Sequence, residues 1–298
     1  MLFFLFIACL WDHETLKEEA LRQKDVADIV RGRILKPNAF FYEEKVRYTE
    51  ALIAKGNAKA DWYDDLAVAL HKLGRTDDAI AVMNKKREVH GDGYTTLSNL
   101  GTFYADKGDF ASARDLLDKS VKVNANAHFG REGYQLRALE FLRELEKDLT
   151  LELKKDLLGL QLADDEAIRF ANQVKQNNFE KAGLKDDVFV ALAGLIRFGS
   201  ADRSKHVWFS LGMALAYKGD RHLSIAAFRR AEKLGHRVAA RMGMVAIQQI
   251  SAYSDKRWEQ VGPDLDRTFE EGQSWVKEMQ RREDLDLKAG KQTKVFGY

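Results

Sequence analysis

Apolar and polar positions along this chain alternate with helical spacing, and the helical pattern itself recurs at an offset of 34 residues. Leu66, Ala67 and Leu70 stand at i, i+1 and i+4, and Gly74, Ala79 and Met83 follow. The same roles return at Leu100, Gly101, Tyr104, Gly108, Ala113 and Leu117, and again at Leu211, Gly212, Leu215, Gly219, Ser224 and Phe228. Each copy predicts two helices. The first buries residues one turn apart on a single face. The glycine takes the left-handed conformation that closes that helix. Thr76 or Asp77, Asp109 and Asp220 then stand where an N-cap restarts the chain. Ala67 and Ala79 are small enough to let the two helices approach closely. A lone pair of this size cannot cover its own apolar face, so the copies, near 61–90, 95–125 and 206–236, must stack.

Helical patterning extends beyond the copies. Residues 12–31 carry Leu16, Ala20, Leu21, Ile29 and Val30 among charges. Residues 40–55 carry Phe41, Val46, Leu52 and Ile53, and read as one half of a degenerate hairpin. Residues 132–160 form a long Leu-dense amphipathic stretch, and residues 186–198 are apolar enough to be largely buried. Residues 237–253 and 264–281 read as closing helices, while 283–298 turns polar and Gly-containing and reads as a loose tail. The prediction is an all-α protein: an apolar segment 1–10, a helical solenoid over 11–282 with irregular helical pairs between its repeats, and the tail.

The segments "YDDLAVALHKLGRTDDAIAVMNKK", "LSNLGTFYADKGDFASARDLLDKS" and "WFSLGMALAYKGDRHLSIAAFRRA" resemble the tetratricopeptide family. Departures are present: Gly91, Ala125 and His236 stand where the family carries Pro, and Lys86 stands where a small residue is typical. The start "CLWD", the stretch "NANAHFGREGYQLRALEFL" and the ending "VFGY" are similar to exported bacterial members of that family. The resemblance implies a right-handed solenoid whose first helices line a concave groove for a peptide or helix of a protein partner, in the bacterial cell envelope. By register, the groove would present Asp64, Val68 and His71, then Ser98, Asn99, Thr102 and Ala105, then Phe209, Met213 and Tyr217. Aromatic and Met side chains suit adaptable contact with an apolar segment. The family's basic carboxylate clamp is not expected, since only Asn99 stands near the required positions.

Composition supports helices and narrows the chemistry. Pro occurs twice in 298 residues, in keeping with long helices. Lys+Arg 48 against Asp+Glu 46, interspersed, makes no stripe for nucleic acid. Cys9 is the single cysteine, so neither an intrachain disulfide nor a cysteine-based zinc site is possible. Residues 1–10 are too short to span a bilayer and suit the core of an export signal whose basic end lies upstream, with weak membrane attachment as a further role. A lipid-bearing Cys9 and a buried apolar N-terminus are the alternatives, and a cytoplasmic setting is the alternative to export.

Catalytic patterns are missing: no GxSxG, P-loop or GxGxxG occurs. His13 lacks HExxH spacing, Gly91-Asp92-Gly93 reads as a turn, and Asp164-Asp165-Glu166 reads as a solvated helix start. His128 and Glu132, four apart, form the one candidate acid/base couple. The reading is a non-catalytic scaffold with no cofactor and no metal. An enzyme with chemistry at His128/Glu132 and a purely structural oligomer are the alternatives.

Overall fold

The computed structural model describes residues 26–124, 131–162, 179–248 and 256–296. Thirteen α-helices lie among them. They are α1 (Val26–Val30), α2 (Ala39–Ala54), α3 (Ala60–Lys72), α4 (Thr76–His90), α5 (Tyr94–Asp106), α6 (Phe110–Val123), α7 (Arg131–Lys147), α8 (Asp187–Arg197), α9 (Lys205–Lys218), α10 (Arg221–Lys233), α11 (Ala239–Ile247), α12 (Trp258–Lys288) and α13 (Gln292–Phe296). Among the described residues the only β pairing is an isolated bridge, Lys155 to Gln161. The segment 1–10, His13, His128 and residues 164–166 lie outside the described residues.

Helices α3–α4, α5–α6 and α9–α10 form the three hairpins that the period predicts, and from α2 onward consecutive helices pack along the chain. Small residues at the crossings explain why. A Cβ on Gly101 would lie 2.8 Å from Leu117 Cγ, and one on Gly212 would lie 2.6 Å from Phe228 Cδ1. The first copy has Ala67 at the equivalent place, fully buried, as is Met83 opposite by register. Gly74, Gly108 and Gly219 take positive φ between the paired helices. Of the expected caps, Asp109 accepts from Ser112 N–H. Asp220 makes no side-chain cap bond, and α4 begins at Thr76 with Arg75 before it.

Two expectations fail. The Leu-dense stretch 132–160 is helical only to Lys147. Beyond it, Gly159 turns with φ +84°, and the Asp156 carboxylate accepts from the Leu158 and Leu160 N–H groups. These bonds satisfy the backbone outside a helix and fold the segment onto α9, where Ser210 Oγ donates to Asp156. The loose tail is also corrected as far as residue 296. Helix α12 runs to Lys288, and α13 buries Phe296 edge-on against Phe41, with ring centroids 5.3 Å apart.

Helix α12 has 31 residues, about 46 Å at 1.5 Å rise each, and includes Pro263. It straps the two ends of the stack together. At its start Trp258 covers Gly243 and donates to Glu232, and Asp266 takes a bidentate pair from Arg229. Midway, Gln273 and Gln280 donate to the Gly32 and Lys36 carbonyls. Near its end Asp284 accepts from Asn38, which also caps α2. Helix α1 packs on α8 and α10, and Lys36 and Lys72 reach the Gly199 and Phe198 carbonyls. The first repeat is therefore tied to the end of α8, and the turn and the helix before it to the strap.

Candidate functional site

All ten residues expected to line the groove are buried: Asp64, Val68 and His71, then Ser98, Asn99, Thr102 and Ala105, then Phe209, Met213 and Tyr217. Each copy turns its set inward, but as interior rather than as an accessible groove, and the third copy's set belongs to a separate apolar cluster from the first copy's. In the first two copies the strip is a polar seam between neighbouring helices. Lys86, on α4, reaches back to both Asp64 oxygens at 2.7 and 2.6 Å and to Thr95 Oγ at 2.6 Å. Asn99 donates to Asp64, and Gln135, on α7, donates to Thr102. Burial lifts the Asp64 carboxyl to about 6, against the opposing pull of Lys86. His71 uses both ring nitrogens, Nε2 to Asp106 at 2.7 Å and Nδ1 to Thr76 Oγ at 3.1 Å.

In the third copy the strip is apolar core. Helix α9 is buried on nearly every face, as expected of a helix that is apolar all round. Phe209 stacks on His236 with centroids 3.9 Å apart and touches Phe228. Met213 and Tyr217 belong to the same apolar cluster as Leu157, Leu160 and Leu162 of the folded-back segment. Of the candidate couple His128 and Glu132, His128 lies outside the described residues and Glu132 is buried at the start of α7. Among the described residues no helix is long and apolar enough to cross a membrane.

A different group of side chains converges where that segment meets α9. Glu152, His206 and His236 are 4, 2 and 5% exposed, and their ligand-type atoms all lie within 4.8 Å of one another. Glu152 sits on a single 3-10 turn, Leu151–Leu153; His206 on the first turn of α9; His236 in the loop after α10. Arg237 Nε donates to Glu152 Oε1 at 2.6 Å and its Nη2 to the Leu149 carbonyl. Lys205 Nζ lies 2.8 Å from Oε2, and His206 Nδ1 lies 3.8 Å from the same oxygen. His206 is walled by the Phe141 edge and the His236 ring. Burial drives His206 down to about 3 and His236 down to about 2, so both imidazoles are neutral at pH 7. Such a set of two imidazoles and a carboxylate has the chemistry to hold a transition-metal ion.

Sequence reasoning missed this group because its members have no motif spacing; Glu152 is 85 residues from the arginine that holds it. The one local signal was His236 in place of the Pro that the resemblance implies. Nearby, Asp156 is fully enclosed, and burial lifts its carboxyl to about 6 in spite of bonds from Ser210 and the Leu158 and Leu160 N–H groups.

Comparison with protein families gives two matches described as tetratricopeptide repeat, over residues 95–133 and 206–234. They coincide with the α5–α6 and α9–α10 hairpins, the first running on into α7. Comparison with curated proteins gives no match. Repeats of this kind generally mediate protein–protein interaction and are typically non-catalytic. On the period, the hairpins and these two matches, the chain contains tetratricopeptide repeats.

Proposed function

We propose that this protein is a non-catalytic scaffold that recognises a protein partner through the surface its stacked hairpins leave exposed. The observation that carries the reading is the stack itself: three small-residue hairpins, two of which match tetratricopeptide repeats. A peptide laid along the strip from Asp64 to Tyr217 does not suit this geometry, because the chain's own side chains and segments already cover that strip. The outer edge is the better surface. Val89 and Val123, 34 residues apart in equivalent places at the ends of α4 and α6, are 61 and 56% exposed. They repeat an apolar position along one edge, as a partner lying across two repeats requires. The setting we propose is the bacterial cell envelope, on the apolar run 1–10 and the resemblance to exported members; fractionation of cells expressing the full chain tests it.

A photo-crosslinking side chain placed at Val89 or Val123 tests the interaction in cells. Adducts to one defined protein from both positions, with none from a probe at buried Met213, are expected. Adducts from Met213 alone would restore an accessible groove and remove the edge assignment.

A further inference from the structure

We propose that Glu152, His206 and His236 form a binding site for one first-row transition-metal dication of the zinc or cobalt class, which staples segment 148–162 to the third repeat. Two independent observations carry this. The first is convergence: three donors from three separate parts of the chain lie within 4.8 Å of one another, all more than nine-tenths buried. The second is an orphan. Neither ring nitrogen of His206 has a hydrogen-bond partner among the described residues, although both are enclosed. Buried polar atoms in native proteins are nearly always satisfied, and an exception calls for an unseen water or ion. The surroundings of His206 supply aromatic edges on two sides and the Glu152 Oε2 on a third.

The donor set selects the metal. Two imidazole nitrogens and one carboxylate oxygen suit zinc, cobalt, nickel or copper, whereas calcium and magnesium need mostly oxygen ligands. Two cations already attend Glu152, and they differ. Arg237 holds Oε1 and is tied to the Leu149 carbonyl, so it can stay and orient the carboxylate as an outer partner. Lys205 lies 2.8 Å from Oε2, the oxygen that faces His206, as an ion pair without a hydrogen bond, and its side chain is 23% exposed. Binding therefore exchanges the Lys205 ammonium for the metal, and the freed ammonium has the Gly235 carbonyl and solvent within reach. His236 gives up a long contact from the Val238 N–H to Nδ1, 3.3 Å, when its ring turns to the metal. The result joins the 3-10 turn, α9 and the α10–α11 loop through one ion. This site is separate from the partner-binding edge, so its failure leaves the scaffold reading untouched.

The full chain, stripped with chelator, is titrated with Co²⁺ and followed by its visible d–d absorption, with Zn²⁺ as competitor. One equivalent per chain and protection of residues 148–155 from protease are expected. His206→Ala and His236→Ala should each weaken binding at least ~100-fold, while exposed His90→Ala leaves it unchanged. Lys205→Met should tighten binding about tenfold, because it removes the competing ammonium. That gain is not expected from a purely structural Lys205–Glu152 ion pair. Circular dichroism confirms that each variant is folded. Absence of a saturable one-to-one signal at millimolar Co²⁺, or a folded His206→Ala variant that binds like the parent, overturns the proposal.

Discussion

Gly272→Ala tests the strap. Glycine at 272 lets α12 rest on the turn at Arg31–Gly32: an added Cβ would lie 2.0 Å from the Arg31 carbonyl oxygen and 2.8 Å from Gly32 C. Both obstacles are backbone, so no rotamer change relieves them. Ordinary contact begins near 3.4 Å, so the helix must retreat by roughly 1.4 Å. Retreat stretches the bonds from Gln273 to Gly32 and from Gln280 to Lys36, each worth about 1 kcal/mol. It also loosens Phe269, which packs edge-on to Trp208 and under Arg230. Overpacking costs about 1–3 kcal/mol, while alanine gains about 1 kcal/mol in helix propensity over glycine. The steric terms win, and a net loss of about 2–3 kcal/mol follows, or about 4 °C in Tm for a cooperative unit of this size. Guanidinium unfolding measures the loss, and hydrogen exchange should show it first at residues 31–36 and 273–284. Gly133→Ala is the control: nothing lies within 4 Å of its added Cβ, so the helix should gain up to about 1 kcal/mol. If Gly272→Ala matches the parent in stability and exchange, the close docking of α12 on Arg31–Gly32 is wrong.

Three other perturbations read the interior. Gly212→Ala should cost about 1–3 kcal/mol by denaturant unfolding, and more than Gly101→Ala, because it meets a buried Phe228 ring rather than a Leu side chain; Phe228→Leu should restore part of the loss, and no rescue would contradict the crossing geometry. Lys86→Met leaves the Asp64 carboxylate buried without its cation and should cost about 3–5 kcal/mol, with Asp64→Asn recovering part in the double variant; a cost near zero by the same unfolding measurement would mean that the pair is solvated. Asp156 has a folded-state value of about 6, above the ordinary 3.8, so the native chain takes up a proton before the unfolded chain does, and this group adds stability as pH falls through 6. Asp156→Asn should therefore gain on the parent by about 2 kcal/mol more at pH 7.5 than at pH 4.5; a pH-independent difference would place Asp156 in water.

How far the fold could be read from sequence depends on how far apart the deciding atoms lie. The hairpins were legible because each depends on a small residue facing a large one within a single copy, as Gly212 faces Phe228. That relation repeats, and a period exposes it. The segment after Lys147 was misread for a local reason: Leu151, Leu153, Leu157 and Leu160 carry enough apolar surface for a helix. Gly159 and the capacity of Asp156 to take two backbone N–H groups were the contrary signals. The strap was not legible at all. Gly32 and Gly272 are ordinary glycines until they meet, 240 residues apart, and no spacing rule links them. The concave strip fails by the same logic. Register tells which residues of α3, α5 and α9 point inward, but not that neighbouring helices fill the first two sets and that the segment after α7 folds back onto the third. Nor does it show that Lys86, the departure from the small residue expected there, is what pairs the inward-facing Asp64. The Glu152–His206–His236 group arises at that return, where the refolded segment lands on α9. In this chain local repetition builds the stack, while the features that distinguish it come from where distant segments land on that stack.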